Sequence, residues 1–396
     1  MAVRSILPVG KDSLLIATQQ FGFFILDAKG LRAFETPAIK EVAGQSIYQV
    51  LILPDKNLLV ATRLGGCYVL DQQGQLLERI TTNEGLQSQN TLSVKTDRQG
   101  NIWLGLDNGI DVVNYTDAIK HIFPEKENHN TGFASAIYNQ YLYLGTSAGV
   151  YHTQLGTETD ISRTRGQFGL VKNSKGEIWG LSVVYDKLFI AHASGAYYVN
   201  NGEAVLLDKS IGYWGFQPYG NGNSKQIMAG TYNSISFFDQ VNGTVKLHAA
   251  GLHSESARFV VQHNGVIWIG HPYRGIFRVL PDKNRALVVT AYTDKEKVIS
   301  NNNNRIFKIT GKLILADDNG IFEYDTKRDK FIRSAYFEKI FGKTPLNYLM
   351  EDRYGNIWFT QGKRIGVAGK SSDLHVKPIL LSWKISLLII LNTSML

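Results

Sequence analysis

The stretch that decides the fold is Asp97-Arg98-Gln99-Gly100-Asn101-Ile102-Trp103-Leu104-Gly105-Leu106-Asp107-Asn108-Gly109-Ile110-Asp111-Val112-Val113. An Asp side chain bonds the backbone of a turn and a glycine supplies positive φ, so Asp97 to Asn101 predicts a hairpin turn. The apolar run Ile102-Trp103-Leu104-Gly105-Leu106 predicts a strand with a small residue, Gly105, near its end. Asn108-Gly109 predicts a second turn, and Ile110 to Val113 a second strand.

The same phrase recurs along the chain. It appears as Leu14 to Thr18, Leu58 to Thr62, Leu142 to Thr146, Leu188 to His192, Ile227 to Thr231, Ile267 to His271, Leu313 to Asp317 and Ile357 to Thr360. Aligning the small position places it at 17, 61, 105, 145, 191, 230, 270, 316 and 360, at intervals of 44, 44, 40, 46, 39, 40, 46 and 44. A unit of this length is one four-stranded propeller blade. One blade cannot bury both faces of its sheet, so copies must stack. The sequence therefore predicts an all-β fold, a β-propeller with nine blade repeats. Ala or Gly is expected where inner strands converge and exclude bulk, with aromatic residues filling the space between blades. The turn before the strand returns as Asp352 to Trp358 and, more loosely, as Asn173 to Trp179 and His263 to Trp268. Its tryptophan is expected to pack between blades.

Composition agrees. The 396 residues include 38 Gly, 9 Pro, 19 Phe, 19 Tyr and 6 Trp, and 44 % are hydrophobic. Many turns, many strands and a large core follow, and wholesale disorder is excluded. The single cysteine, Cys67, excludes an internal disulfide framework and a cysteine-based zinc cluster. The net charge of +8 is small for this length and spread along the chain, and acidic residues interleave the Lys and Arg of residues 283–343. A nucleic-acid stripe is not expected. Residues 1–8 carry no apolar core of signal-peptide length. The apolar tail from Ile379 to Leu391 is short of the ~20 residues that span a bilayer.

No Walker loop, dinucleotide fingerprint, serine elbow or EF-hand spacing is present. The turn has one residue more between Asp and Gly than sialidase-type propeller turns and lacks their Thr, which argues against that class. The nine histidines make no helical His-x-x-x-His pair. His192 and His271 follow the small residue of their copies, where they are expected at the rim of a central funnel. Trp214, Tyr219, Tyr273 and Arg274 complete the candidate ligand-binding set, because aromatic rings and a guanidinium suit contact with a sugar or an anion. No catalytic residue, metal site or cofactor is predicted.

Asp97 to Val113 closely resembles the two-component-regulator propeller repeat, found in extracytoplasmic sensor regions of Bacteroidetes signalling proteins. The lead-in Asn83 to Thr91 resembles the segment that precedes a blade in that family. Ile6 to Leu15, Ile211 to Tyr219 and His271 to Gly275 resemble its triple-tyrosine-motif, helix-turn-helix branch. In related hybrid sensors a histidine kinase takes the place of the helix-turn-helix. The resemblance covers about residues 1–380. It implies a longer parent with a signal peptide, propeller blades, an immunoglobulin-like domain, a membrane helix and an output module. The expected division is two blades of a preceding propeller at 1–80, a seven-bladed propeller at 81–370, and the truncated or frameshifted start of an immunoglobulin-like domain at 371–396. A single closed array of eight or nine blades is the alternative.

The functional expectation is a non-catalytic, ligand-sensing propeller, part of a signal-transduction protein and without its output domain. The resemblance implies a periplasmic parent, an oligosaccharide as the ligand of some members and homodimerisation through the sensor region. The alternative is a propeller enzyme of lyase or hydrolase type with a His-lined funnel.

Overall fold

The computed structural model describes residues 2–115, 124, 130–155, 168–209, 211–220, 225–253, 255–281, 286–342, 345–362, 364–369 and 379–380. These residues form nine antiparallel sheets, one for each sequence copy, eight of them four-stranded and one three-stranded. Within each sheet the strands lie side by side in chain order. Each blade is thus one continuous piece of chain, as the repeat period requires.

The first strands of the blades are Val3–Pro8, Ile47–Ile52, Thr91–Thr96, Gly132–Tyr138, Ile178–Val184, Tyr213–Tyr219, Phe259–His263, Arg305–Ile309 and Tyr348–Glu351. The repeated apolar phrase is the second strand, and it is the most buried. Leu58–Thr62 is buried at every position, and in Lys187–His192 only the first residue is not.

The small residue of that strand is explained by the neighbouring blade. A Cβ on Gly230 would collide with the carbonyl oxygen of Ala257, just ahead of the next blade's first strand. At Gly270 it would lie 2.8 Å from the carbonyl oxygen of Asn304, and at Gly145 2.8 Å from Cγ2 of Ile178. The backbone of one blade passes so close to the next that a larger side chain has no room.

Hairpin chemistry fixes the blade edges. Asn201-Gly202, Asn242-Gly243, Asn264-Gly265 and Thr310-Gly311 have positive φ at both positions, the mark of type I′ turns. At Asp97 the carboxylate accepts from the backbone N–H of Gln99 and Asn101 at 2.9 Å, from Asn101 Nδ2 at 2.9 Å and from Trp103 Nε1 at 3.1 Å. Asp352 makes the same set with Tyr354, Asn356 and Trp358. These two tryptophans therefore clip their own turn instead of packing between blades, and Trp103 is 45 % exposed. Trp268 does fill the space between blades. It is buried against Tyr324 and Phe331 of the following blade, at centroid distances of 4.7 and 5.6 Å.

The chain divides into two compact units. The first comprises 1–129 with 155–167 and holds blades one to three. The second comprises 130–154 with 168–396 and holds blades four to nine. In the first unit, blades two and three share a core of Leu53, Leu59, Val69, Val94, Ile102 and Leu104, and Gln49 Oε1 accepts from Val94 N at 3.0 Å. This core joins blade three to blade two. Ile379–Leu380 pairs with Arg364–Ala368 as the outer strand of blade nine. The rest of 371–396, where an immunoglobulin-like strand was expected, lies outside the described residues.

Candidate axial binding site

In the second unit the first strands of all six blades, or the residue just ahead of them, wall one cavity of about 1010 Å³. A second cavity of about 1180 Å³ lies toward the hairpins between first and second strands. The two share Arg258, Phe259, Tyr348 and Met350.

Three of the rings in the first cavity, Phe133, Trp179 and Trp214, stand at β-bulges. In blade four Gly132 pairs with Thr146 and Ala134 with Gly145, which leaves Phe133 without an opposite residue. In blade five the same shift frees Trp179, between Ile178 paired with His192 and Gly180 paired with Ala191. In blade six it frees Trp214, between Tyr213 paired with Thr231 and Gly215 paired with Gly230. An extra residue in a ladder is re-aimed out of the sheet. Here it turns a large ring into the cavity while both neighbours keep their partners on the second strand. Arg258, Asn304 and Asn347 hold the equivalent place in blades seven to nine, one residue before the partners of Gly270, Ala316 and Thr360.

The rings form a continuous arc. Phe133 and Trp179 are 5.0 Å apart, Trp179 and Trp214 5.3 Å, and Trp214 and Tyr232 4.8 Å. Both indole N–H groups are used within the protein. Trp179 Nε1 donates to the Tyr232 hydroxyl at 2.6 Å, and Trp214 Nε1 donates to Ser256 Oγ at 3.0 Å. What these rings can still offer a ligand is apolar surface. The Arg258 guanidinium lies over the Trp214 ring at 4.9 Å and near Phe259 at 5.8 Å.

Arg305 enters the same cavity, with Nη1 donating to the Leu346 carbonyl at 3.0 Å. Its pKa is lowered, first by burial and then by the positive charge of Arg258. Among the described residues no carboxylate walls this cavity.

Of the six residues singled out from sequence, the structure brings Trp214, His271 and Tyr273 to the cavity. Tyr219 packs on Phe237 at 4.9 Å, Arg274 pairs with Glu255, and His192 caps a turn; none of these three is a lining residue. His192 and His271 occupy the place held by Thr18, Thr62, Thr146 and Thr231 in other blades. There the side chain closes the turn between second and third strands. Each Thr hydroxyl donates to a turn carbonyl at 2.8 to 2.9 Å. His192 Nδ1 accepts from Ser194 N at 2.9 Å, and His271 Nδ1 accepts from Tyr273 N at 3.1 Å. His192 Nε2 also contacts the Lys175 carbonyl at 2.9 Å. The His271 pKa is lowered, chiefly by burial. Asp317 fills this slot in blade eight. Burial pushes it up to about 6, against backbone hydrogen bonds from Ser300, Asn319 and Gly320. Among the described residues no group of three or more His, Cys, Asp or Glu is arranged to hold a metal ion.

Sequence reasoning missed Phe133, Trp179, Arg258 and Arg305. Their signal was available in the register. Phe133, Trp179 and Arg258 each stand one residue before the partner of the aligned small residue, and Arg305 is that partner in blade eight.

No family model matches the chain, and no curated protein matches it. Solved structures do. The extracellular domain named for the hybrid two component system BT3049 of B. thetaiotaomicron aligns with a TM-score of 0.53 and 20 % identity, over 92 % of this chain and 55 % of that one. The extracellular domain named for the one component system BT4673 of the same organism aligns with a TM-score of 0.50 and 15 % identity, over 96 % of this chain and 54 % of that one. At these identities the likeness is one of fold. The chain spans about half the length of either domain.

Proposed function

We propose that blades four to nine form a non-catalytic, ligand-sensing module of a longer extracytoplasmic signalling protein, and that the axial cavity is its binding site. The observation that carries this reading is the set of bulges at Phe133, Trp179 and Trp214. Blades one to three carry the same one-residue shift, at Arg4, Tyr48 and Leu92, so the bulge belongs to the repeat. What sets blades four to six apart is that each fills the position with a large ring on one wall of the cavity. Aromatic faces beside Asn303, Asn347 and Ser256 suit a carbohydrate, whose pyranose rings pair apolar faces with hydroxyl edges. The repeat wording of Asp97 to Val113 and the fold shared with extracellular domains of signalling systems support the extracytoplasmic setting. A bound ligand would bias the packing of this module against its neighbours and so pass a signal on.

The test is isothermal titration of the chain against neutral and acidic oligosaccharides, with tryptophan fluorescence followed in parallel. Binding with a fluorescence change that Trp179→Ala and Trp214→Ala abolish supports the reading. Binding that both variants retain, or release of a cleaved or unsaturated sugar product, contradicts it. The second outcome is the one a His-lined lyase or hydrolase would give.

A further inference from the structure

The axial cavity has a charge as well as a shape. Arg258 and Arg305 both wall it, and the positive charge of Arg258 acts against that of Arg305. Two like charges held together are destabilising, and a fold that keeps them needs a reason outside its own stability. The negative charge of Asp318 also acts on Arg305, in the opposite direction to Arg258. Glu255 pairs with Arg274, and Asp318 accepts from Asn303 Nδ2 at 2.7 Å. The cavity thus joins stacking surface to two guanidinium groups, and among the described residues no carboxylate lines it.

We propose that the ligand is an acidic oligosaccharide, one whose uronate carboxylates are bound by Arg258 and Arg305 while its rings lie on Trp179 and Trp214. This rests on the carbohydrate reading above and sharpens it. A guanidinium offers a planar fork that matches a carboxylate with two parallel N–H donors. Arg258 already lies over the Trp214 ring, so a carboxylate reaching it is drawn beside the stacking face, and charge and ring would be read together. Stacking without a free indole donor favours a ring with an apolar face over one that needs a ring hydrogen bond.

The test titrates the whole chain with tetragalacturonate, with an oligomer of glucuronate, and with each of these fully methyl-esterified, which removes the charge and keeps the rings. Adenosine monophosphate serves as an anion with a different ring. At least one acid is expected to bind tenfold or more tightly than its ester, with an affinity that falls as salt rises. Arg258→Gln and Arg305→Gln are expected to reduce that preference to about onefold while the thermal midpoint stays near that of the parent chain. Esters that bind as tightly as the acids overturn the acidic assignment and leave the carbohydrate reading standing. Nucleotide binding stronger than that of every sugar, or no sugar binding at all, overturns both.

Discussion

The guanidinium carbon of Arg258 lies 4.9 Å from the centre of the Trp214 ring, across the boundary between blades six and seven. An exposed cation–π contact of this kind contributes only about 0.5–1 kcal/mol. Arg258→Ala is therefore expected to lower unfolding stability by less than about 1 kcal/mol in urea. A larger loss makes Arg258 a strut of the fold, and its place in the cavity incidental.

The close approach of neighbouring blades gives a sharper stability test. Gly215 and Gly230 face each other in register. A Cβ on Gly230 meets the Ala257 carbonyl oxygen, whereas one on Gly215 has nothing within 4 Å. Gly230→Ala is expected to cost ~1–3 kcal/mol through forced backbone movement, and Gly215→Ala to be close to neutral. Thermal unfolding of the pair decides it. Equal effects would mean that the small residue is not set by the adjacent blade.

Asp317 makes stability depend on pH. Its folded pKa, about 6, is above the value of 3.8 for the free side chain. Between those values the folded state holds the proton that the unfolded state has lost, so stability falls as pH rises from about 4 to about 6. At roughly 1.4 kcal/mol per pKa unit the effect is of the order of 3 kcal/mol. Asp317→Asn removes this group's titration. The stability difference between parent and variant is expected to shift across that range and to flatten above it. A constant difference from pH 4 to 7 would show that Asp317 ionises normally.

The turn clip at Asp97 is independently measurable. Hydrogen bonds from Asn101 and Trp103 hold its pKa down at about 2. Trp103→Phe removes one donor and is expected to raise that pKa toward the usual carboxylate range, as followed by carbon-13 NMR of the carboxyl group. An unchanged value would mean that the indole N–H does not reach the carboxylate in solution.

These cases show where sequence was informative. The period was legible because the small residue recurs, and at Gly145, Gly230 and Gly270 it is small because the next blade presses on it, as Ala257 does on Gly230. The turns were legible because Asn-Gly pairs and the Asp-x-x-Gly clip have local chemistry. The bulges were not. An apolar first strand reads the same whether or not one residue drops out of register, and only the partner strand shows that Trp214 stands between two paired neighbours. Asn173 to Trp179 imitates the Asp97 turn in wording yet leads into a first strand, Ile178–Val184, so the sequence showed Trp179 meeting rings of neighbouring blades but not that it lines the cavity. The histidines misled differently. His192 and His271 share the slot of Thr18 and Thr62, and only the alignment of all blades shows that the slot belongs to a turn.

The most direct measurement is a crystal structure of the chain with the tightest-binding oligosaccharide from the titrations. Sugar rings on Trp179 and Trp214, with an acidic group within hydrogen-bond distance of Arg258 or Arg305, are the predicted result. Sugar bound elsewhere on the surface, with the axial cavity holding only water, would contradict the account.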